Sequence, residues 1–179
     1  MDIQKYRIFM HNIISLILPL FIIFIMVNFG ACCVYSFTGA SVPTHIKSIS
    51  ISPAIDRSGS GEPGLGELLT NKLTQKFIDD NTLRVANKSN ADASLDCIIT
   101  SLIDAPAVVA AGENVTTRRI TITVQVTYKD LVKRKTIYDK SFSNYGDYPA
   151  SQINQRSNAI ETAIDHITDD ILLDTVSGW

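Results

Sequence analysis

The sequence predicts an α+β fold: a two-layer sandwich in which two helices cover one face of a four-stranded, mostly antiparallel or mixed sheet. Two segments with a helical apolar period, at residues 65–80 and 153–171, predict the helices. Between them, residues 119–128 alternate polar and apolar side chains, which is typical of a strand in an antiparallel sheet covered on one side only. An apolar start of 31 residues in a chain of 179 leaves 148, enough for one domain with a single core.

Residues 1–31 are expected to be a lipoprotein signal peptide. Of these 31 residues 21 are hydrophobic, against 60 of the other 148, and two basic residues precede an uncharged run over residues 13–29. A basic start followed by an apolar stretch is typical of a secretory signal. Two small residues stand directly before Cys32, which is the pattern of a bacterial lipobox. The alternative is an uncleaved N-terminal helix with incidental cysteines.

Lipidation is therefore expected at Cys32, where several acyl chains such as palmitate would anchor the protein firmly to its membrane. Cys33 is a competing site, but cleavage before it would place Cys32 at the small-residue position. Cys97 has apolar neighbours and is expected to be a small buried residue, with a disulfide to Cys33 as the alternative. Residues 32–44 would form a short extended lead from the anchor, and residues 45–179 the α+β domain.

The domain opens with a strand and a helix. Residues 46–52 are rich in β-branched and serine residues and are stopped by Pro53. Residues 56–66 carry four glycines and one proline, which predicts a loop. The helix that follows has apolar side chains every four residues and ends near residue 80; its stripe consists of Leu65, Leu69, Leu73 and Phe77.

The second half of the domain is mainly strand. A short strand is expected at residues 82–85 and a longer one over 92–103, and residues 104–117 break the pattern and predict a long loop. A hairpin follows, in which residues 129–135 form a charged turn and 136–142 the return strand. The closing helix carries one apolar stripe, formed by Ile153, Ile160, Ile164, Ile167 and Ile171.

Catalytic, metal and cofactor sites are not indicated. The letters GxGxxG occur at residues 59–64, but Glu62 would place a negative charge at a dinucleotide pyrophosphate, so a surface loop is favoured. Beyond residue 31 the only histidines are His45 and His166, far apart in the chain and without the ligand spacing of a metal site. No nucleophile and base can be paired, so an enzyme is not expected. A net charge of −2 argues against a general nucleic-acid binder.

Basic residues are concentrated in the hairpin. Seven of the fourteen Lys and Arg beyond residue 31 lie within residues 118–140. Guanidinium and ammonium groups suit the phosphates of an anionic lipid or sugar. The alternative is that these charges only keep an exposed hairpin soluble and prevent edge pairing. The candidate ligand-binding residues, for lipopolysaccharide, are Arg118, Arg119, Lys133, Arg134 and Lys135.

The segment CCVYSFTGAS at residues 32–41, followed by Pro43 and a strand, resembles the start of mature lipopolysaccharide-assembly lipoproteins of the LptE family. In that family a lipidated cysteine precedes a Tyr-Ser-Phe-type segment by a residue or two. The order of a helix after a Gly/Pro loop, an alternating hairpin and a closing helix agrees along the rest of the chain.

The resemblance implies an outer-membrane lipoprotein, facing the periplasm, that plugs and helps to assemble an LptD-type β-barrel and binds lipopolysaccharide. No family motif identifies which basic residues contact lipopolysaccharide, so the hairpin remains a hypothesis from its charge alone. A lipoprotein that scaffolds another envelope complex without touching lipopolysaccharide is the main alternative. A small lipid-anchored hydrolase is a weaker one, because it lacks a nucleophile and base.

Overall fold

The computed structural model describes residues 42–109 and 115–177 of the chain. In chain order the elements are β1 (Ser48–Ile51), β2 (Ile55–Asp56), α1 (Leu65–Asp80), β3 (Arg84–Val85), β4 (Ala93–Val109), β5 (Val115–Asp130), β6 (Lys135–Pro149), a 3₁₀ turn (Ile153–Gln155) and α2 (Arg156–Val176). The predicted α+β class is confirmed. Within these two ranges, no helix combines the length and the apolar character needed to cross a bilayer.

The sheet has six strands rather than the four predicted. Its order is β3-β1-β4-β5-β6, and β2 also pairs with β4. β4, β5 and β6 form an antiparallel meander, whereas β1 runs parallel to both β3 and β4, and β2 runs parallel to β4. Of the two extra strands, β3 lies within the short strand expected at residues 82–85. β2 was not predicted, because its two residues are too few to show a period of two in the sequence. The return strand of the hairpin also extends well beyond the predicted residues 136–142.

The long loop predicted over residues 104–117 is wrong. β4 continues to Val109, β5 begins at Val115, and the two strands pair along most of this segment. The register shifts between Ile99 and Ser101, as a β-bulge with one extra residue produces. The extra residue moves the following side chains of β4 to the other face, so the apolar alternation changes phase. A fixed period of two therefore fails here although the strand continues.

One face of the sheet carries the hydrophobic core and both helices. The predicted stripe of α1 is confirmed, since all four of its residues are at most 2% exposed. The core face of β5 and the inner stripe of α2 are equally well buried; they comprise Ile120, Ile122, Val124, Val126 and Tyr128, and Ile160, Ile164, Ile167 and Ile171. Cys97 is a buried free thiol, 3% exposed, and its alternative partner Cys33 lies outside the described residues.

Candidate functional site

The basic residues predicted to bind a ligand lie at opposite ends of the sheet. Arg118 and Arg119 lie near the start of β5, whereas Lys133, Arg134 and Lys135 follow its end. At about 3.3 Å per residue along a strand, the two groups are separated by roughly 45 Å. The structure therefore does not bring the five residues into one site.

Arg118 lies on the covered face of the sheet, because alternate residues of a strand point to the same face and Arg118 is two residues before the buried Ile120. Its Nε donates to Asp104 Oδ1 at 2.8 Å and to the hydroxyl of Tyr148 at 3.1 Å. The Tyr148 hydroxyl in turn donates to Asp104 Oδ2 at 2.8 Å. The Arg118 guanidinium is therefore already held by a carboxylate of its own chain.

The same carboxylate links the strands to the closing helix and to the glycine-rich loop. Arg156, the first residue of α2, donates from Nε to Asp104 Oδ2 at 3.2 Å and from Nη1 to Glu62 Oε2 at 2.6 Å. The glycine-rich segment therefore forms a loop held to α2 through Glu62, as expected for a surface loop. We call Asp104, Arg118, Tyr148, Arg156 and Glu62 the polar cluster.

Asp104 is the centre of the polar cluster. Partial burial raises the pKa of its carboxyl, but hydrogen bonds from Tyr148, Arg118 and Arg156 outweigh that effect and hold the pKa below its ordinary value. The carboxylate is thus ionised at neutral pH. Sequence reasoning missed this cluster because residues 104–117 were predicted to be a loop. The spacing of two residues between Arg118 and Ile120 did, however, indicate that the Arg118 side chain points to the covered face of the sheet.

Arg119 lies on the opposite, open face of the sheet. Its Nε and Nη2 donate to the two carboxylate oxygens of Asp147 at 2.7 and 2.8 Å. Its guanidinium carbon is 3.6 Å from the centroid of the Tyr145 ring. This bidentate, stacked arrangement is a strong one for an exposed pair. An anionic ligand would have to displace Asp147 to bind Arg119.

The other end of the sheet is organised around Asp130, whose side chain is only 5% exposed. Its Oδ2 lies 2.6 Å from His45 Nε2, and its Oδ1 accepts the backbone N–H of Lys133 at 2.8 Å. Burial raises the pKa of the Asp130 carboxyl, but the hydrogen bonds from Lys133 and His45 prevail and lower it. Asp130 therefore holds the turn in place and is shielded from solvent.

Lys133, Arg134 and Lys135 are exposed. Within residues 42–109 and 115–177, none of the three forms an ion pair. A cleft of about 280 Å³ separates the entering chain from the turn, and its lining includes His45, Lys133 and Lys135. We call residues 131–135 together with His45 the hairpin end. It is the part of the predicted basic group that remains open to an anionic ligand, and His45 is the member that sequence reasoning did not include.

Nucleophilic chemistry at Cys97 is disfavoured. Burial raises the pKa of the Cys97 thiol to about 12, so the reactive thiolate is scarce at physiological pH. No group of three or more residues suited to binding a metal ion occurs within the described part of the chain. The predicted lipidation site Cys32, its competitor Cys33 and the signal peptide lie outside the described residues.

Comparison with protein-family models gives a match over most of the domain. The model of LptE, described as lipopolysaccharide-assembly, matches residues 46–175. No curated protein matches the chain by sequence.

Solved structures share the fold at low identity. A Xanthomonas campestris protein of the family DUF330 is 13% identical with a TM-score of 0.56, over 76% of this chain and 90% of that one. A hypothetical protein from Chlamydia trachomatis is 10% identical with a TM-score of 0.54, over 71% and 94%. A candidate lipoprotein from Caulobacter crescentus is 16% identical with a TM-score of 0.50, over 72% and 88%.

Proposed function

Because the chain belongs to the LptE lipopolysaccharide-assembly family, we propose that it is a non-enzymatic outer-membrane lipoprotein that assembles lipopolysaccharide together with an LptD-type β-barrel. The observation that carries the proposal is the family match over residues 46–175, which includes all six strands and nearly all of both helices. In this role the domain plugs the barrel, assists its assembly and binds lipopolysaccharide.

We further propose that residues 1–31 are removed and that Cys32 is acylated, so that residues 32–44 connect the anchor to the domain. The absence of Asp after Cys32 is consistent with the outer membrane, because Asp at that position is the enterobacterial signal for inner-membrane retention. Metabolic labelling with a radioactive or clickable fatty acid tests the site. Label that persists in a Cys32→Ser protein would exclude Cys32 as the acylated residue.

The open face of the sheet supports a position inside a hydrated barrel. It carries hydroxyl, amide and charged side chains, including the bonded pair Thr123 and Ser143 and the pair Arg119 and Asp147. A polar surface of this kind suits a barrel lumen, which is lined with polar residues. The closing experiment is purification of the tagged full chain after detergent extraction, with identification of its partners by mass spectrometry. We expect a large LptD-type barrel; recovery of a different envelope complex without a barrel would favour the scaffolding alternative.

Lipopolysaccharide binding is proposed to depend on the hairpin end, because the two arginines at the other end of β5 are already paired. Changing Lys133, Arg134 and Lys135 together to Glu is expected to weaken binding of lipopolysaccharide to the purified protein by at least about tenfold at low salt. Binding is measured by titration with fluorescent lipopolysaccharide at two salt concentrations.

A matched pair of single changes controls for charge in general. Arg134→Glu and Arg57→Glu alter net charge equally, and both positions are exposed. Arg57 directly follows β2, and its N–H bonds to the carbonyl of Ile99, which pairs with Val124, roughly 20 Å along β5 from the turn. We expect only the former to weaken binding. Equal affinity of the parent and the triple variant would rule out the hairpin end as the lipopolysaccharide site.

A further inference from the structure

We propose that the hairpin end docks on the anionic phospholipid headgroups of the membrane that holds the lipid anchor. This inference rests on the proposed acylation of Cys32. It goes beyond lipopolysaccharide binding because it concerns contact with the phospholipid headgroups around the anchor, a contact that needs no lipopolysaccharide. Three observations support it: the place where the chain enters the domain, the charge of that end, and an exposed apolar residue.

The chain enters the domain beside the hairpin end. Pro43 lines the same cleft as His45, Lys133 and Lys135, and its carbonyl accepts the N–H of Ile46. From Cys32 to Val42 is ten residues, which span at most about 35 Å when fully extended. The far end of the sheet lies roughly 45 Å beyond the turn. A chain anchored at Cys32 therefore holds the hairpin end within about 35 Å of the bilayer, whereas the far end of the sheet can lie up to about 80 Å away.

The charge of this end favours an anionic surface. Lys133, Arg134 and Lys135 are exposed and, within the two described ranges, free of ion pairs. The neighbouring acid Asp130 is almost fully buried and is held by His45. Its carboxylate is thus shielded from headgroups, and the three cations determine the local potential.

Nearby acidic residues of the adjoining elements are engaged in bonds within the fold. Asp92 accepts the backbone N–H groups of Lys47 and Ser48 at 3.0 Å, and Asp96 pairs with Lys129 at 3.1 Å. Asp80, at the end of α1, accepts the N–H of Thr82 at 3.2 Å and remains exposed. The end as a whole therefore carries a basic excess despite these acids.

The turn also exposes an apolar side chain. Val132 is 59% exposed and is followed directly by the three basic residues. An apolar group that enters the headgroup boundary, flanked by cations that bind lipid phosphates, is the usual composition of a peripheral membrane contact.

The backbone at Arg134 makes a glycine substitution there a clean test of charge. Its φ is +53°, a left-handed conformation that favours glycine and is costly for a long side chain. The position lies in the turn between β5 and β6, and such turns commonly include a residue in this conformation. Arg134→Gly should therefore leave the fold intact while it removes one of the three cations.

The test uses the full, acylated protein in proteoliposomes. A donor dye is attached next to the turn at Thr136→Cys or in the glycine-rich loop at Ser60→Cys, both exposed positions. Both variants carry Cys33→Ser, and buried Cys97 is unreactive. Energy transfer to an acceptor on the lipid headgroup is compared in vesicles of phosphatidylcholine alone and of equal parts phosphatidylcholine and phosphatidylglycerol. We expect higher transfer from the Thr136 position than from the Ser60 position, a rise in transfer with phosphatidylglycerol, and loss of that rise at high salt.

Charge variants then test the cause. Each basic residue near an anionic surface strengthens binding about fivefold. Changing Lys133, Arg134 and Lys135 together to Glu should therefore lower the ratio of docked to undocked protein by at least roughly 100-fold. Arg134→Gly should lower this ratio about fivefold. If the triple variant does not fold, Arg134→Gly provides the charge test in its place. Arg57→Glu is the matched control and should have no effect.

The inference and the proposed function fail separately. Equal transfer from the two dye positions, no response to phosphatidylglycerol, or no effect of the charge variants would overturn docking on phospholipid. A response only when lipopolysaccharide is added to the vesicles would also overturn it, while supporting the proposed function. Docking without any measurable lipopolysaccharide binding would leave this inference standing and refute the lipopolysaccharide site.

Discussion

Replacing Gly146 with alanine is expected to destabilise the domain strongly. Gly146 lies in β6 on the face covered by α2, and a Cβ added there would lie 2.0 Å from the backbone oxygen of Ala159 and 2.8 Å from its carbonyl carbon. Both are backbone atoms of the helix, so no side-chain rotation relieves the overlap. Helix and strand would have to separate, which opens the core around Ile160. We expect a loss of at least about 3 kcal/mol in the free energy of unfolding, a large part of what a domain of this size has.

Urea unfolding followed by far-UV circular dichroism measures the effect. Ser143→Ala is the matched control, because Ser143 lies three residues earlier in β6, on the open face. A change at such a surface position should alter stability by under about 0.5 kcal/mol. An unchanged midpoint for Gly146→Ala would mean that α2 does not approach β6 as closely as the structure has it.

Asp104→Ala is expected to give the second-largest effect, because it removes the centre of the polar cluster. Without this carboxylate, two guanidinium groups and the Tyr148 hydroxyl lose their shared acceptor, and the link between β4 and the start of α2 is broken. The side chain of Asp104 is 22% exposed, so water partly compensates. We therefore expect a loss of about 2 kcal/mol at neutral pH, less than for a fully buried pair.

The pH dependence distinguishes this mechanism from a simple packing defect. The pKa of Asp104 is lower in the folded protein than in the unfolded chain. The ionised carboxylate therefore contributes fully to the free energy of unfolding above about pH 4, and this contribution is lost as the pH falls through the pKa of the folded protein. The difference in stability between parent and variant should shrink in that acid range.

The matched control is Asp147→Ala, which breaks the exposed pair with Arg119. The side chain of Asp147 is 38% exposed, and its loss should cost under about 1 kcal/mol. Unfolding is measured from neutral pH down to about pH 3, where Asp carboxyls become protonated. A stability gap between Asp104→Ala and its parent that stays constant over this range would contradict an electrostatic role for Asp104.

Much of the fold follows from local patterns. The stripe of α1 and the alternation of β5 each place apolar side chains on one face, because a helix and a strand repeat at fixed periods. These two patterns were sufficient to predict both elements, and together with the closing helix they predicted the two-layer arrangement. The basic group in the hairpin was likewise visible, together with its division between the two ends of β5.

The sequence by itself therefore determined the class of fold, the buried faces of its long elements and the basic character of the hairpin, since each depends on the spacing of neighbouring residues. Only the tertiary structure decided which cations are free. Arg118 is held by Asp104 because a bulge near Ser101 sets the register between β4 and β5. Lys133 is left open because Asp130 is buried against His45, 85 positions earlier in the chain. Such pairings depend on strand register and chain entry, which are long-range properties that no local period encodes.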